Sequence, residues 1–374
     1  MNIGLDVSPI ADRIWTGVGN YIVNLINNIS KIDKENNYYL CYRFSHIKNK
    51  AKILKIDQDN FRTKIIQEPL NFIFQLKLDI FHGLADRLPW SYRSGNIVTI
   101  HDVGAAILED NYASKHFKDM MRKRYDKMLN EKQADLIITV SEFTKKEIIK
   151  HFSYPEENIR VIYHGIRKIF RPQNESSINK VKDKYGINND YFFYVGAINL
   201  RKNIIRVIEA FKIFSEKNKA INLVLTGNLS YGHEEIIEKI IKLKLEERIK
   251  LVGYLKNEEL ASLYSGAKAL VFPSLYEGFG LPVIEAMACG TPVLTSNISS
   301  MPEIAGDAAC LVNPLDVTDI AENLLNLAED DNLRKILREK GQERAKIFSW
   351  EKAAKETLKV YNEFSGRGIS ATHP

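Results

Sequence analysis

The stretch "PSLYEGFGLPVIEAMACGTP", residues 273–292, sets Glu277 and Glu285 eight positions apart around Gly278, Phe279, Gly280, Leu281 and Pro282. Two carboxylates flanking a glycine turn are open to three readings: an acid/base pair, a metal site, or charge placed at a helix end. The pattern predicts a strand over "ALVFPS", a turn over "LYEGFG" and a helix through "VIEAMA", with Pro282 near its first position and Gly290 at its stop. On that reading Glu285 falls in the first helical turn, where a carboxylate gains about 0.3–1 kcal/mol from the helix dipole and needs no further duty. Glu277, in the loop, has no such structural role. Gly278 and Gly280 let the backbone approach a ligand closely, and the loop N–H groups with the helix N-terminus form an anion site. No Asp, Asn or His stands nearby in sequence to complete a metal shell. An anion site with two carboxylates beside it suits a ligand carrying both phosphate and hydroxyl groups, as a sugar nucleotide does.

Three further constellations carry chemistry. In "YVGAINLRKNIIRVIEAF", 194–211, a strand ends at Gly196 and Arg201 and Lys202 stand adjacent before a helix. Positive charge is unfavourable at a helix N-terminus, so a compensating anion is expected, and a diphosphate suits a forked Arg beside a point-charge Lys. In "NIVTIHDVGAAI", His101 follows directly on a strand, and "IFHGLADRLP" places His82 in a similar setting. In "TGVGNY", Gly17 and Gly19 follow the first strand, but Ile22 occupies the third glycine position of the dinucleotide fingerprint, so an NAD reading is disfavoured. The pair still suits a loop whose N–H groups lie near a phosphate.

These residues need a frame. Short apolar runs alternate with amphipathic segments: "NIGLDV", "NIVTI" and "DLIITV" with helices near 114–133 and 142–151 in the first half, then "YFFYVG", "INLVLTG", "IKLVGY", "ALVFPS", "TPVLTS" and "CLVNP" with helices near 203–217, 233–246, 257–265 and 282–289. That alternation predicts an α/β chain of two doubly wound parallel-sheet domains in series. The boundary falls in the polar, loop-like stretch 171–190, giving domains over 1–172 and 173–348, with a tail helix in 349–374 crossing back to the first. In open α/β sheets ligands bind outside the carboxyl ends of the strands, which ranks Arg201, Lys202, His101 and Glu277 above other polar residues.

Composition narrows the class. A chain of 374 residues with 45% hydrophobic and 27% charged residues is an ordinary globular protein of two or three domains, with any disorder confined to "GRGISATHP" at the end. Three scattered cysteines, Cys41, Cys289 and Cys310, make neither a zinc spacing nor a disulfide framework and favour a reducing compartment. No signal-peptide pattern or membrane-length apolar run is present, so a cytoplasmic protein is expected. The net charge of +6 is uneven: residues 1–180 carry 28 Lys and Arg against 21 Asp and Glu, and the remainder carries 25 against 26. The densest basic patch, "KHFKDMMRKRYDK" at 115–127, suits peripheral contact with an anionic membrane or equally a solvated helix face; no nucleic-acid reader motif accompanies it.

"EGFGLPVIEAMACGTPVLTS" with "SSMPEIAGDAACLVNPLD" resembles the signature of the retaining glycosyltransferases of family 4, which have the GT-B fold. "GVGNYIVNL", "FHGLADRLP", "TIHD", "ITVSEFTKKEI", "YVGAINLRKN" and "FSWEKAAKETLKVY" are similar to family segments in the family's order, so the resemblance covers nearly the whole chain. It implies two Rossmann-like domains facing a cleft, an N-terminal acceptor domain and a C-terminal donor domain. It implies that Glu285 binds the donor ribose, Glu277 the transferred sugar, and Arg201 and Lys202 the diphosphate. Gly280 and Leu281 then offer N–H groups to the distal phosphate within the turn Gly278–Phe279–Gly280. His101 would lie near the reacting sugar, Gly17 and Gly19 near phosphate and acceptor, and the loop 252–257 with Tyr254 near the base. Where many members carry an Arg just after the glycine of the "YVG" strand, this chain has Ala197, which shifts the cationic load to Arg201 and Lys202.

The expected activity is retaining transfer of a hexose, with mannose from GDP-mannose as first choice, to a saccharide or lipid-linked acceptor of surface polysaccharide. No metal or other cofactor is expected. The alternatives are a UDP-sugar-dependent glucosyl- or galactosyltransferase of the same family, or a sugar-nucleotide-binding protein without catalysis.

Overall fold

In the computed structural model the chain forms two compact units, one comprising Met1–Ile107, His116–Gly165 and Ser349–Pro374, the other Leu108–Lys115 and Ile166–Phe348. The structure describes residues 1–11, 17–44, 53–66, 77–88, 94–108, 114–131, 133–230 and 232–365. The tail 366–374, expected to hold any disorder, lies outside the described residues.

The first unit is built on strands β1 (Asn2–Asp6), β2 (Asn37–Arg43), β3 (Phe61–Ile66), β4 (Ile80–Gly83), β5 (Gly95–Ile100), β6 (Leu136–Thr139) and β7 (Ile159–Val161). They pair in parallel throughout, in the order β3-β2-β1-β4-β5-β6-β7. Strands β4, β5 and β6 are buried along their whole length, so they lack a two-residue polar alternation. Helices α1 (Gly17–Ile32), α2 (Gly104–Ile107), α3 (Lys115–Tyr125) and α4 (Glu142–Phe152) belong to this unit's run of sequence. Helix α1 buries Tyr21, Ile22, Leu25, Ile26 and Ile29, an i, i+4, i+8 stripe that faces the sheet core. Helix α3 is shorter than the sequence pattern suggests, because at Asp126–Asn130 the ladder slips to a wider turn, with the Glu131 N–H donating to the Asp126 carbonyl at 3.3 Å. The last helix, Trp350–Ser365, packs on α1. A Cβ on Gly165 would lie 2.1 Å from the Trp350 backbone nitrogen, so only glycine lets the chain pass at this point.

The second unit contains β8 (Asp190–Val195), β9 (Ile221–Thr226), β10 (Ile249–Gly253), β11 (Ala269–Phe272), β12 (Val293–Ser296) and β13 (Cys310–Val312), all parallel, in the order β10-β9-β8-β11-β12-β13. Its helices are α5 (Glu175–Tyr185), α6 (Ile204–Lys217), α7 (His233–Lys242), α8 (Asn257–Gly266), α9 (Leu281–Ala288), α10 (Met301–Ala305), α11 (Val317–Glu329) and α12 (Asp331–Ala345). Strand order reverses between β8 and β11, the place at which open α/β sheets bind ligands outside the strands' carboxyl ends.

The stretch 171–190, expected as a loop, contains a full helix. Asn174 caps α5 by accepting the Ser177 N–H at 2.9 Å, Gly186 ends it in the left-handed region at φ 60°, and Lys182 and Lys184 suit the negative end of its dipole. Only Val181 is buried, so the helix carries little apolar signal. The chain also enters the second unit at Ile166, before the expected boundary, because Arg167 bonds Glu285 and the Phe170 ring meets Tyr264 edge-on at 5.9 Å.

Candidate functional site

In the second unit, the loops after β8 and β11 are stitched together at the strand reversal. The Leu275 N–H donates to the Arg201 carbonyl at 3.2 Å, the Arg201 guanidinium to the Tyr276 carbonyl at 3.3 Å, and the Asn203 amide to the Pro273 carbonyl at 3.0 Å. Asn203 also donates to the Pro314 carbonyl at 2.6 Å and adopts φ 62° at the start of α6, a conformation that Asn tolerates better than other non-glycine residues. Arg201 and Lys202 sit in a single 3-10 turn, Leu200–Lys202, capped by the Asn199 side chain. On the loop after β8, the Tyr194 hydroxyl donates to the Ala197 carbonyl at 3.1 Å.

Within this frame Lys202 and Glu277 form a buried ion pair. The anion expected to compensate the cations beside α6 is thus supplied in part by the chain itself. The Lys202 ammonium also lies over the Phe272 ring, 5.2 Å from its centroid. The Ser274 hydroxyl donates to Glu277 Oε1 at 2.7 Å, and the Ser299 hydroxyl accepts the Glu277 N–H at 2.8 Å while donating to the Glu277 carbonyl at 2.7 Å. Ser300 donates to the carbonyls of Glu277 and Phe279, each at 3.0 Å. Burial alone would raise the Glu277 carboxyl, but Lys202, Arg201 and Ser274 outweigh it and hold it below the ordinary carboxylate value.

Helix α9 follows directly. Gly280 precedes it at φ 108°, a glycine conformation, and among the described residues neither the Gly280 nor the Leu281 N–H has a hydrogen-bond acceptor. The helix closes with the Gly290 N–H on the Met287 carbonyl and the Thr291 N–H on the Ala286 carbonyl, the crossed pair of a Schellman end at Gly290, φ 75°. Because α9 begins at Leu281, Glu285 lies in its second turn and not its first, so the dipole no longer suffices to explain a buried carboxylate there. Its observed partner is Arg167, whose guanidinium donates to Glu285 Oε1 at 3.0 Å. Burial pushes the Glu285 carboxyl up, with Arg167 working against the rise. The two glutamates of the opening motif therefore have different cations and opposite shifts.

Phe279 is buried against Phe348, their rings edge-on at 5.7 Å, so its side chain is an anchor and only its backbone faces the turn. Gly278 is buried in the same turn. Tyr254 is exposed just beyond β10.

In the first unit, His101 lies one residue beyond the carboxyl end of β5. Its Nε2–H donates to the Leu84 carbonyl at 3.0 Å, which fixes the tautomer and leaves Nδ1 as the acceptor, while its backbone N–H donates to Asp86 Oδ1 at 3.0 Å. Tyr21 meets the ring edge-on at 4.7 Å and His164 stacks on it at 5.4 Å. Burial lowers the His101 pKa and lifts the Asp86 carboxyl to about 7. His82 is no site residue: it is fully buried inside β4, with Nδ1 2.6 Å from the Tyr361 hydroxyl and Nε2 2.8 Å from Thr99 Oγ1. Gly17 and Gly19 lie in the first turn of α1 and not in a preceding loop, Gly17 exposed and Gly19 buried.

Sequence reasoning missed Arg167, Asp86 and the serines 274, 299 and 300. The serines left a trace in "SSMPEIAG", whereas Arg167 is 118 positions from its partner and left none. On α3, Phe117 and Met120 are exposed beside the basic residues. Among the described residues no helix is long and apolar enough to cross a membrane, and no group of three His, Cys, Asp or Glu side chains could hold a metal ion.

Two family models match the chain: "Glycosyl transferases group 1" over residues 177–344 and "Glycosyltransferase Family 4" over residues 59–168. The O-antigen chain mannosyltransferase B of Escherichia coli is 34% identical over 286 residues, 75% of this chain and 74% of that protein. Among solved structures, sucrose-phosphate synthase from Thermosynechococcus elongatus superposes with a TM-score of 0.77 at 19% identity, covering 98% of this chain and 100% of that one. Anabaena HepE in complex with UDP and glucose gives 0.72 at 15% identity, covering 96% and 99%. At those identities the structures speak to the fold alone, two parallel-sheet units of GT-B type.

Proposed function

Since the chain belongs to glycosyltransferase family 4 and is a glycosyltransferase, we propose that it moves a hexose from a nucleotide-diphospho-sugar with retention of anomeric configuration and without a metal ion. The donor is GDP-mannose and the acceptor a saccharide or lipid-linked saccharide of surface polysaccharide, a reading supported by the Escherichia coli mannosyltransferase relative. The enzyme works in the cytoplasm, peripherally at the inner membrane face through α3.

One observation carries the reading: at the strand reversal, Arg201 and the buried Lys202–Glu277 pair stand beside the uncommitted N–H groups of Gly280 and Leu281. The cations and N–H groups take the diphosphate, with Gly278 and the Phe279 backbone shaping the turn. Glu277 takes hydroxyls of the transferred hexose, Glu285 the ribose diol, and Tyr254 lies toward the base. His101, Gly17 and Gly19 serve the reacting sugar and acceptor.

In the reaction the bond from the anomeric carbon to the diphosphate oxygen breaks, and the acceptor oxygen bonds to that carbon from the same face. The acceptor proton passes to the departing phosphate. Negative charge grows on the leaving group, and fixed donors aimed there lower the barrier because they need no reorganisation. Lys202 is already held by Glu277 and Phe272, so its position is set before the donor arrives. Neither glutamate acts as an acid or base of the glycosidase kind.

The test is incubation with GDP-mannose and, separately, UDP-glucose and UDP-galactose, each with a mannoside acceptor and excess EDTA, with products read by mass spectrometry and NMR. The expected result is an α-mannoside and GDP. Turnover of a UDP-sugar alone would transfer the reading to that donor, loss of activity in EDTA would overturn metal independence, and no turnover of any donor would leave a binding protein.

A further inference from the structure

Arg167 enters the second unit immediately after the chain crosses from the first, far in sequence from the donor motif. Its guanidinium lies 4.6 Å over the Phe170 ring and donates to Glu285 Oε1, with side-chain exposures of 17% for Arg167 and 9% for Glu285. Phe170 is itself locked edge-on against Tyr264. The arginine is therefore fixed on its flat face by a ring and at its edge by a carboxylate, an arrangement that lysine cannot reproduce.

The groups facing Glu285 come from three elements. They are Arg167 from the entry segment, Tyr264 from α8, and Cys289 at the end of α9 itself. The Tyr264 hydroxyl is buried without a hydrogen-bond partner among the described residues, and Cys289 is a buried thiol. Arg167 is the full positive charge in this group. A buried carboxylate with no cation would take up a proton, and protonation turns one acceptor oxygen into a donor and weakens what the other accepts from hydroxyls.

We propose that Arg167 is a positioning residue for the donor's ribose: it keeps Glu285 ionised and directs the second carboxylate oxygen at the 2′,3′-diol. The inference rests on the ribose role of Glu285 given above and extends it to a residue outside the donor motif. Glu285 reads the diol only while one of its oxygens is held by Arg167, so the arginine sets discrimination between ribo- and deoxyribonucleotides without touching the ligand.

The experiment measures binding of GDP and 2′-deoxy-GDP to the wild-type protein, Arg167→Met and Arg167→Lys between pH 5 and 8, with thermal unfolding of each variant alongside; if UDP binds more tightly than GDP, UDP and 2′-deoxy-UDP replace them. The wild-type protein should prefer the ribonucleotide by about 10-fold or more, as for one hydrogen bond to a charged group. Arg167→Met should bring the ratio close to one and move the acid limb of GDP binding up in pH, and Arg167→Lys should recover part of the ratio. A wild-type preference that survives in folded Arg167→Met overturns this inference while leaving the ribose role of Glu285 intact. An Arg167→Met protein that does not fold shifts the decision to Arg167→Lys, where an unchanged ratio and pH profile overturn the inference. No preference in the wild-type protein overturns the ribose role of Glu285 and the inference with it.

Discussion

The Lys202 ammonium and the Glu277 carboxylate form an ion pair, 12% and 11% exposed, at the carboxyl ends of β8 and β11, the strands where the sheet order reverses. The pair neutralises itself, and in the proposed reaction its two members take the diphosphate and the sugar of the donor. Lys202→Ala and Glu277→Ala should each cut turnover at least ~100-fold, the loss expected for one transition-state contact. Each breaks a buried ion pair but leaves the remaining charge its other neighbours, so each should also lose stability by less than the ~3–5 kcal/mol of an uncompensated buried charge. Steady-state kinetics with thermal unfolding checks both, and the double variant should lose less than the sum of the two.

The two glutamates should respond oppositely to pH. Glu277 is held below its ordinary value of 4.5, so its contribution to stability is present above that value and is lost as pH falls through the lowered pKa. Glu285 is raised, so its contribution is fullest below 4.5 and is lost as pH rises through the raised pKa. Thermal unfolding from pH 3.5 to 8 should therefore show the penalty of Glu277→Gln growing with pH and that of Glu285→Gln shrinking.

His82 titrates near 3 in the folded protein against an ordinary 6.5, because burial opposes its charged form. Its contribution to stability is present above 6.5 and is lost as pH falls toward 3. The slope from this one group approaches about 1.4 kcal/mol per pH unit. His82→Gln should be less stable at neutral pH but show a flatter decline from pH 6.5 to 4.5 in denaturant titrations.

Gly280 holds φ 108°, and an added Cβ would meet the Met301 terminal methyl at 2.5 Å. That methyl can swing aside, but the backbone conformation cannot be kept without about 1–3 kcal/mol of strain. Gly280→Ala should weaken nucleoside diphosphate binding at least ~10-fold by displacing the N–H groups at the start of α9. Calorimetry of GDP binding checks it.

Helix α3 exposes Phe117 and Met120 among Lys115, Lys118 and Lys123. If it meets a membrane, the full chain should sediment with phosphatidylglycerol vesicles at low salt and be released at 1 M salt, where the screening length is about 3 Å. Lys118→Glu with Lys123→Glu should abolish the binding and leave turnover of a soluble acceptor unchanged.

The second unit was legible because its β-branched and aromatic strands are bounded by polar turns. In the first unit β2, β3 and β7 escaped notice: four of the six β3 residues are exposed and two of those are charged, and β7 is only three residues long, whereas β2 is mostly buried. Helix α5 passed for a loop because it buries a single side chain. The strand reversal explains why Lys202 and Glu277, 75 positions apart, meet. Glu285 was misplaced by one residue because Gly280, not the position after it, precedes the helix. Its partner Arg167 was invisible, as tertiary pairing across 118 positions leaves no local pattern.

The central claim is that the β8–β11 reversal with the start of α9 is a nucleotide-diphospho-sugar site. Thermal-shift titration with GDP, UDP, dTDP and NAD, repeated on Lys202→Ala, tests it most directly. The account predicts stabilisation by a nucleoside diphosphate, GDP foremost, that Lys202→Ala largely removes. Stabilisation by NAD and by no nucleoside diphosphate would contradict it.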